Sequence, residues 1–295
     1  MQIIIPMSGF GERFRVKGYN TPKPLIMVNG KPIISYVIDM FPGEKDFIFI
    51  CNEDHLKNLN YKMAKILKKF CPTGKIISIA PHKKGPVHAV IKAKKAINFN
   101  KPIIVNYCDF TCYWSWKKFK HFVLKKNCSG AIPAYKGFHP HSLGKTNYAY
   151  ILEKRGIASD IQEKKPFTSN KLDEYASSGT YYFKNAKIMF DSFDYIKKNR
   201  INVKGEQYVS LAYKYFFNQK KNERIYIYPL KHFMQWGTPE DLEEYINWSN
   251  IFNKITKLKN QYTNNNGTLI VPMAGEGQRF VNEGYKKIKP LIEVS

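Results

Sequence analysis

Residues able to hold and move a phosphate group gather near the N-terminus. Gly9 and Gly11 stand one residue apart in Pro6-Met7-Ser8-Gly9-Phe10-Gly11-Glu12-Arg13-Phe14, and Thr21-Pro22-Lys23-Pro24-Leu25 follows. Glycines so spaced let a backbone turn tightly and aim its N–H groups at one anion. Arg13 comes two residues after Gly11 and Lys23 ten after Arg13, so two cations can converge on whatever the loop cradles. Further along, Asp109 follows the apolar run Ile103-Ile104-Val105, which sets a carboxylate at the end of a buried-type strand, where open α/β sheets bind ligands. Two familiar phosphate binders fail on spacing. A dinucleotide fingerprint requires a third glycine where Phe14 stands, and no Gly-Lys-Ser/Thr closes this loop as a P-loop requires.

The elements that must carry these groups alternate through the first half. Apolar runs at residues 3–5, 47–51, 75–80 and 102–107 predict strands, the last reaching Asp109, with a shorter one at 25–28 closed by Asn29-Gly30. Helical spacing predicts helices at 32–41, opened by Pro32, at 56–70 and at 88–97. Such alternation argues α/β: a Rossmann-like, mostly parallel, doubly wound sheet. The second half turns to strands at 131–135, 149–152, 157–162 and 178–183, then helices at 186–198 and 206–218 and a strand at 224–228. A final helix ending near Ile255 is announced by Gly237-Thr238-Pro239-Glu240-Asp241, with Thr238 as cap and Pro239 in the first turn.

Composition narrows the class. At 295 residues and 43% hydrophobic, the chain can build a sizeable core. No apolar run is long enough to span a bilayer, and the N-terminus opens on a strand instead of an export signal, so the reading is cytoplasmic, with no membrane partner. Five scattered cysteines (Cys51, Cys71, Cys108, Cys112, Cys128) suit free thiols in a reducing compartment. Cys108 and Cys112 lack the second pair that a structural metal site needs. The net charge of +25 comes from lysines spread along the whole chain, which reads as compositional bias and not as a nucleic-acid groove. Its field would still draw in polyanionic substrates such as a nucleoside triphosphate.

Near the C-terminus the opening stretch returns. Leu269-Ile270-Val271-Pro272-Met273-Ala274-Gly275-Glu276-Gly277-Gln278-Arg279-Phe280 repeats it at an offset of 266, through Gly284-Tyr285 and Lys289-Pro290-Leu291-Ile292. The expected organisation is one domain at 1–258, a linker at 259–267 rich in Asn and Thr, and the truncated start of a second copy of that domain at 268–295.

The Pro-Met-Ser-Gly-Phe-Gly-Glu-Arg-Phe opening, Asp109 and the later motifs resemble the sugar-nucleotidyltransferase (nucleotide pyrophosphorylase) family. The resemblance is to its capsule and lipopolysaccharide members, which open Pro-Met-Ala/Ser-Gly-x-Gly-x-Arg-Phe, and it spans residues 1–248. It implies a GT-A-like Rossmann sheet with an inserted mixed sheet for the acceptor. It also implies transfer of NMP from a triphosphate, with CTP favoured, to a phosphorylated sugar or polyol, releasing pyrophosphate. By the same resemblance, Met7, Ser8, Gly9, Phe10 and Gly11 hold the triphosphate, Ala80 and Gly85 lie by the base, and Arg13 and Lys23 are catalytic. Asp109 matches a catalytic, metal-binding aspartate, which makes Mg²⁺ the implied cofactor. Glu163, Lys164, Gly179 and Glu206 match acceptor-site positions, while His139 and His141 are weighed as pocket residues but read as loop histidines. A homo-oligomer is compatible with this reading; a nucleic-acid partner is not part of it.

One departure stands out. Many relatives carry an aspartate before the late Gly-Thr as a second metal ligand, where Gln235 and Trp236 precede Gly237-Thr238 in this chain. Two other classes remain open from the residues alone. A GT-A glycosyltransferase would normally show Asp-x-Asp, which Asp109-Phe110-Thr111 lacks, and a nucleic-acid binder is suggested by charge only.

Overall fold

A computed structural model of the chain describes residues 1–143, 147–218, 223–258 and 270–292. The chain divides into two units, Met1–Ser249 and Asn250–Ser295. The expected linker lies, with residues 259–269, outside the described residues. Among the described residues, no helix is long and apolar enough to cross a membrane.

In chain order the strands are β1 Gln2–Met7, β2 Met27–Val28, β3 Lys31–Pro32, β4 Phe47–Asn52, β5 Lys75–Ile79, β6 Ile103–Asn106 and β7 Phe110–Tyr113. They continue with β8 Gly130–Tyr135, β9 Ala149–Lys154, β10 Ile157–Glu163, β11 Tyr175–Ser177, β12 Thr180–Phe183, β13 Ile225–Pro229 and β14 His232–Gln235. Ten of them form one mixed sheet in the order β11-β9-β10-β13-β8-β12-β6-β1-β4-β5. The run β6-β1-β4-β5 is wholly parallel, with Ile3 opposite both Ile104 and Phe47. From β12 outward the pairing is antiparallel except between β13 and β8. The parallel half carries the N-terminal loop and the mixed half adjoins it, as expected for a Rossmann-like sheet with an acceptor extension.

Strand β1 is buried on both faces, which explains its unbroken apolar run. Ile3 and Ile5 pack into one layer with Phe47, Phe49 and the helix Ile33–Asp39. Ile4 packs into the other with Ile48, Ile50 and the helix Pro86–Lys92. The five cysteines are all buried and unpaired.

Three expectations need correction. The predicted helix at 56–70 is broken into Glu53–Lys57, a 3-10 turn Leu59–Tyr61 and Met63–Phe70. Asn58 caps the turn through its side chain and Lys62 adopts φ 48°, so local side-chain bonding wins over continuous helix. The predicted helix at 206–218 begins only at Val209 and is split into Val209–Ala212 and Lys214–Phe217. Its first residues are extended because Gln207 is tied by its backbone to Lys84 and Val87. Finally, β6 stops at Asn106, so Asp109 lies in the bend before β7 instead of on the strand.

Candidate active site

At the C-terminal end of β1, Ser8 to Gly11 turn into the short helix Glu12–Val16. Asn52, the last residue of β4, holds the turn: its side-chain Nδ2 donates to the Ser8 carbonyl at 3.4 Å. Its Oδ1 accepts the Asp54 N–H at 2.8 Å and caps the helix Glu53–Lys57. Gly11 takes φ 66° before the helix, a left-handed conformation that costs a side-chain-bearing residue about 1–2 kcal/mol.

This loop floors a cleft of about 460 Å³. Ten of the residues singled out in the sequence line it: Met7, Ser8, Gly9, Phe10, Gly11, Arg13, Lys23, Gly85, Asp109 and Glu206. Lys23 Nζ donates to Asp109 Oδ2 at 3.0 Å, with the side chains 22% and 21% exposed. Burial works against the Lys23 ammonium, but the Asp109 charge and hydrogen bond outweigh it and the Lys23 pKa is raised, so Lys23 stays cationic.

Asp109 is positioned by two contacts that the sequence did not announce. Strand β7 pairs with β14 in the register Phe110 opposite Gln235, and the Trp236 N–H donates to the Asp109 carbonyl at 2.9 Å. The Gln235 carboxamide and the Asp109 carboxylate therefore converge on Gly237. Beside Asp109, burial pushes the Cys108 thiol up to about 12, so it stays protonated and inert.

Across the cleft, Gly85 has φ 85°, and a Cβ there would run into the backbone of Gln207. The Gln207 N–H donates to the Lys84 carbonyl at 3.1 Å and its carbonyl accepts the Val87 N–H at 3.2 Å. The close approach that this glycine permits is thus made by the 205–208 segment. On either side of Gln207, Glu206 and Tyr208 line the cleft. Tyr208 Oη donates to Glu206 Oε2 at 2.6 Å and accepts from Lys164 Nζ.

Glu163 and Lys164 border this network without lining the cleft itself. Burial pushes the Glu163 carboxyl up to about 7, against the opposing Ser210 hydrogen bond and Lys164 charge. Burial also lowers the Lys164 pKa. Gly179 lies behind the cleft wall, where its carbonyl accepts the Tyr107 N–H at 3.0 Å. Ala80 is exposed just after β5 and does not line the cleft. His139 and His141 are buried in an aromatic cluster with Tyr135 and Phe233, away from the cleft. Sequence reasoning missed His82, Tyr107 and Tyr208, all of which line the cleft. His82 and Tyr208 lay inside stretches already under suspicion, but nothing in their spacing marked them.

A glycine-rich loop at the end of β1, an Arg and a Lys beside it, and an aspartate in the bend between β6 and β7 make a site for a polyanion. The family profile described as Nucleotidyl transferase matches residues 2–246. The chain belongs to the nucleotidyl transferase family. The bifunctional protein GlmU of Methanocaldococcus jannaschii is 27% identical over 226 residues, covering 76% of this chain and 49% of that protein. The chain spans about half the length of the curated GlmU relatives that it matches over most of its own length. Its fold is that of the nucleoside-diphosphate-sugar pyrophosphorylase from Vibrio cholerae RC9, with TM-score 0.65 and 17% identity over 83% of this chain and 100% of that one. A UDP-glucose pyrophosphorylase complexed with UDP-glucose gives TM-score 0.64 and 19% identity over 86% and 98% of the two chains.

Proposed function

We propose that this nucleotidyltransferase joins a nucleoside monophosphate to a phosphorylated sugar or polyol and releases pyrophosphate. The observation that carries the reading is the cleft in which the Ser8–Gly11 turn, Arg13 and the Lys23–Asp109 pair meet. A phosphate oxygen of the acceptor attacks the α-phosphorus, a new P–O bond forms, and the α–β bridge breaks with its electron pair leaving on pyrophosphate. Both reactants are anions, so catalysis consists largely of aligning them and offsetting their charge.

Backbone N–H groups of the turn hold the triphosphate, and Arg13 stabilises the departing pyrophosphate. The Arg13 charge is felt at Lys23 and also at Lys164 and Tyr208, which suits a cation between the nucleotide and acceptor ends of the cleft. Lys23, held cationic by Asp109, faces the α-phosphate. On the acceptor side, Glu206 lines the cleft and receives sugar or polyol hydroxyls, while Lys164 and Glu163 back it, Lys164 through Tyr208.

Mg²⁺ is the cofactor that the family implies. The protein donors present are one carboxylate, Asp109, and one neutral carboxamide, Gln235, both beside Gly237. That set fits an ion that takes most of its oxygens from substrate phosphates and water. When bound, Mg²⁺ would offset charge on the triphosphate, with Asp109 as its ligand and Gln235 contributing no charge.

CTP is the first triphosphate to test, on the resemblance of the opening motif to capsule enzymes. Of residues 80–86, His82, Lys83, Gly85 and Pro86 line the cleft, so selection among bases falls to that stretch. Pyrophosphate release is measured with each of the four triphosphates against a panel of sugar and polyol phosphates. Turnover with one pair supports the reading; no turnover with any pair, together with salt-sensitive nucleic-acid binding, refutes it.

A further inference from the structure

His82 stands in the cleft wall after β5 and has no role in the mechanism above. Its Nε2 lies 3.3 Å from Ser8 Oγ, and its Nδ1 accepts the Lys84 backbone N–H at 3.2 Å. A backbone N–H can only donate, so Nδ1 carries no proton, and in the neutral ring the proton sits on Nε2. Nε2–H therefore donates to Ser8 Oγ, and the serine must turn its own hydroxyl proton elsewhere. Among the described residues, Ser8 Oγ has no other side-chain or backbone partner, and the open space beside it is the cleft. The opposite arrangement, with serine donating to the ring, would present oxygen lone pairs to an incoming anion.

The groups facing the ring favour its neutral form. Burial, then the charges of Lys84 and Lys92, hold the His82 imidazole below its usual pKa. The ring of His88 packs against it edge-on at 4.6 Å, and its own pKa is lowered by burial, then by His82 and the same lysines.

We propose that His82 is a positioning residue that fixes Ser8 as a hydrogen-bond donor to the triphosphate over the Gly9–Gly11 turn. The ligand rests on the function proposed above; the ring geometry does not. The role is tested by calorimetric binding of inorganic tripolyphosphate, which needs no matching base, to the full chain and to His82→Ala, Ser8→Ala, the double variant and His82→Gln. Each alanine variant is expected to weaken binding about tenfold, with the double variant no weaker than either, because one charge-facing hydrogen bond is lost in all three. His82→Gln, which keeps an N–H donor, is expected to stay within about threefold of the parent. In steady state, His82→Ala should raise KM for the triphosphate with kcat little changed.

Nitrogen NMR of the histidine rings in the parent protein should show His82 as the Nε2–H tautomer at neutral pH. An Nδ1–H tautomer, additive losses in the double variant, or unchanged binding in His82→Ala overturns the proposal. So does a parent protein that binds no tripolyphosphate. Normal tripolyphosphate binding without pyrophosphate release in any assay would instead remove the proposed function and leave the His82–Ser8 pair standing.

Discussion

The stretch from Gly11 to Leu25 and its repeat from Gly277 to Leu291 build the same local structure in very different surroundings. Gly11 and Gly277 both take φ 66° before a five-residue helix, Glu12–Val16 in one copy and Gln278–Asn282 in the other. Phe14 meets Tyr19 edge-on at 5.2 Å, and Phe280 meets Tyr285 at 5.4 Å. Lys23 sits 5.7 Å from the Phe14 ring and Lys289 sits 5.6 Å from that of Phe280. Both end in a 3-10 turn, Lys23–Leu25 and Lys289–Leu291. These contacts join residues close in sequence, so little loop-closure entropy opposes them.

Upstream of the turn the two copies part. Ile4 and Ile5 are fully buried in β1, whereas Ile270 and Val271, at the matching positions, are 83% and 55% exposed and form no strand. A strand needs hydrogen-bonding neighbours and a covered face. Each buried isoleucine contributes roughly 2 kcal/mol, and without that gain the backbone entropy of an extended segment is not offset. The functional partners differ likewise. Lys23 has Asp109, whereas Lys289 has no described salt bridge to a carboxylate.

The contrast predicts its own tests, beginning with chemistry. Lys23→Ala or Asp109→Asn should lower turnover at least about a hundredfold with thermal unfolding unshifted enough to keep the fold, while Lys289→Ala leaves turnover unchanged. Equal losses at Lys23 and Lys289 would break the distinction between a working copy and an unpartnered one.

A smaller effect concerns the acceptor side of the cleft. Because Glu163 titrates near 7 in the folded chain against 4.5 ordinarily, the folded state holds an extra proton between those values. Stability should therefore fall as pH rises through that window and level off above it, by up to about 3 kcal/mol. Glu163→Gln should remove this fall, read as the difference in urea midpoint between pH 5 and pH 8. An unchanged pH dependence in the variant would place the titration elsewhere.

The backbone comparison is subtler. Gly11→Ala should destabilise the main unfolding transition by about 1 kcal/mol, whereas Gly277→Ala, with the same φ, should leave that transition where it is. Smallest of all, ending the chain after Leu258 should leave turnover within about twofold, since the cleft draws only on residues before Thr238. A larger loss would mean that the second copy contributes to the first copy's chemistry.

The sequence by itself determined the parts whose causes are local. The glycine spacing, Arg13 and Lys23 announced the phosphate-binding turn. The apolar runs announced β1, β4, β5 and β6, and Thr238 with Pro239 announced the helix Pro239–Leu258, whose Thr238 Oγ1 accepts the Asp241 N–H at 3.2 Å. The strand-and-helix alternation was legible because burial on both faces leaves a continuous apolar signature.

Tertiary structure decided what depends on distant segments meeting. Residues 206–208 are extended because Gln207 pairs with the Gly85 turn more than a hundred residues away. Asp109 faces Lys23 because β7 finds β14, and two short strands of that kind carry too little pattern to be read in advance. His82 acquires a tautomer, and Ser8 a direction, only where the end of β1 and the loop after β5 come side by side. Local chemistry shaped the turn; long-range pairing gave it neighbours.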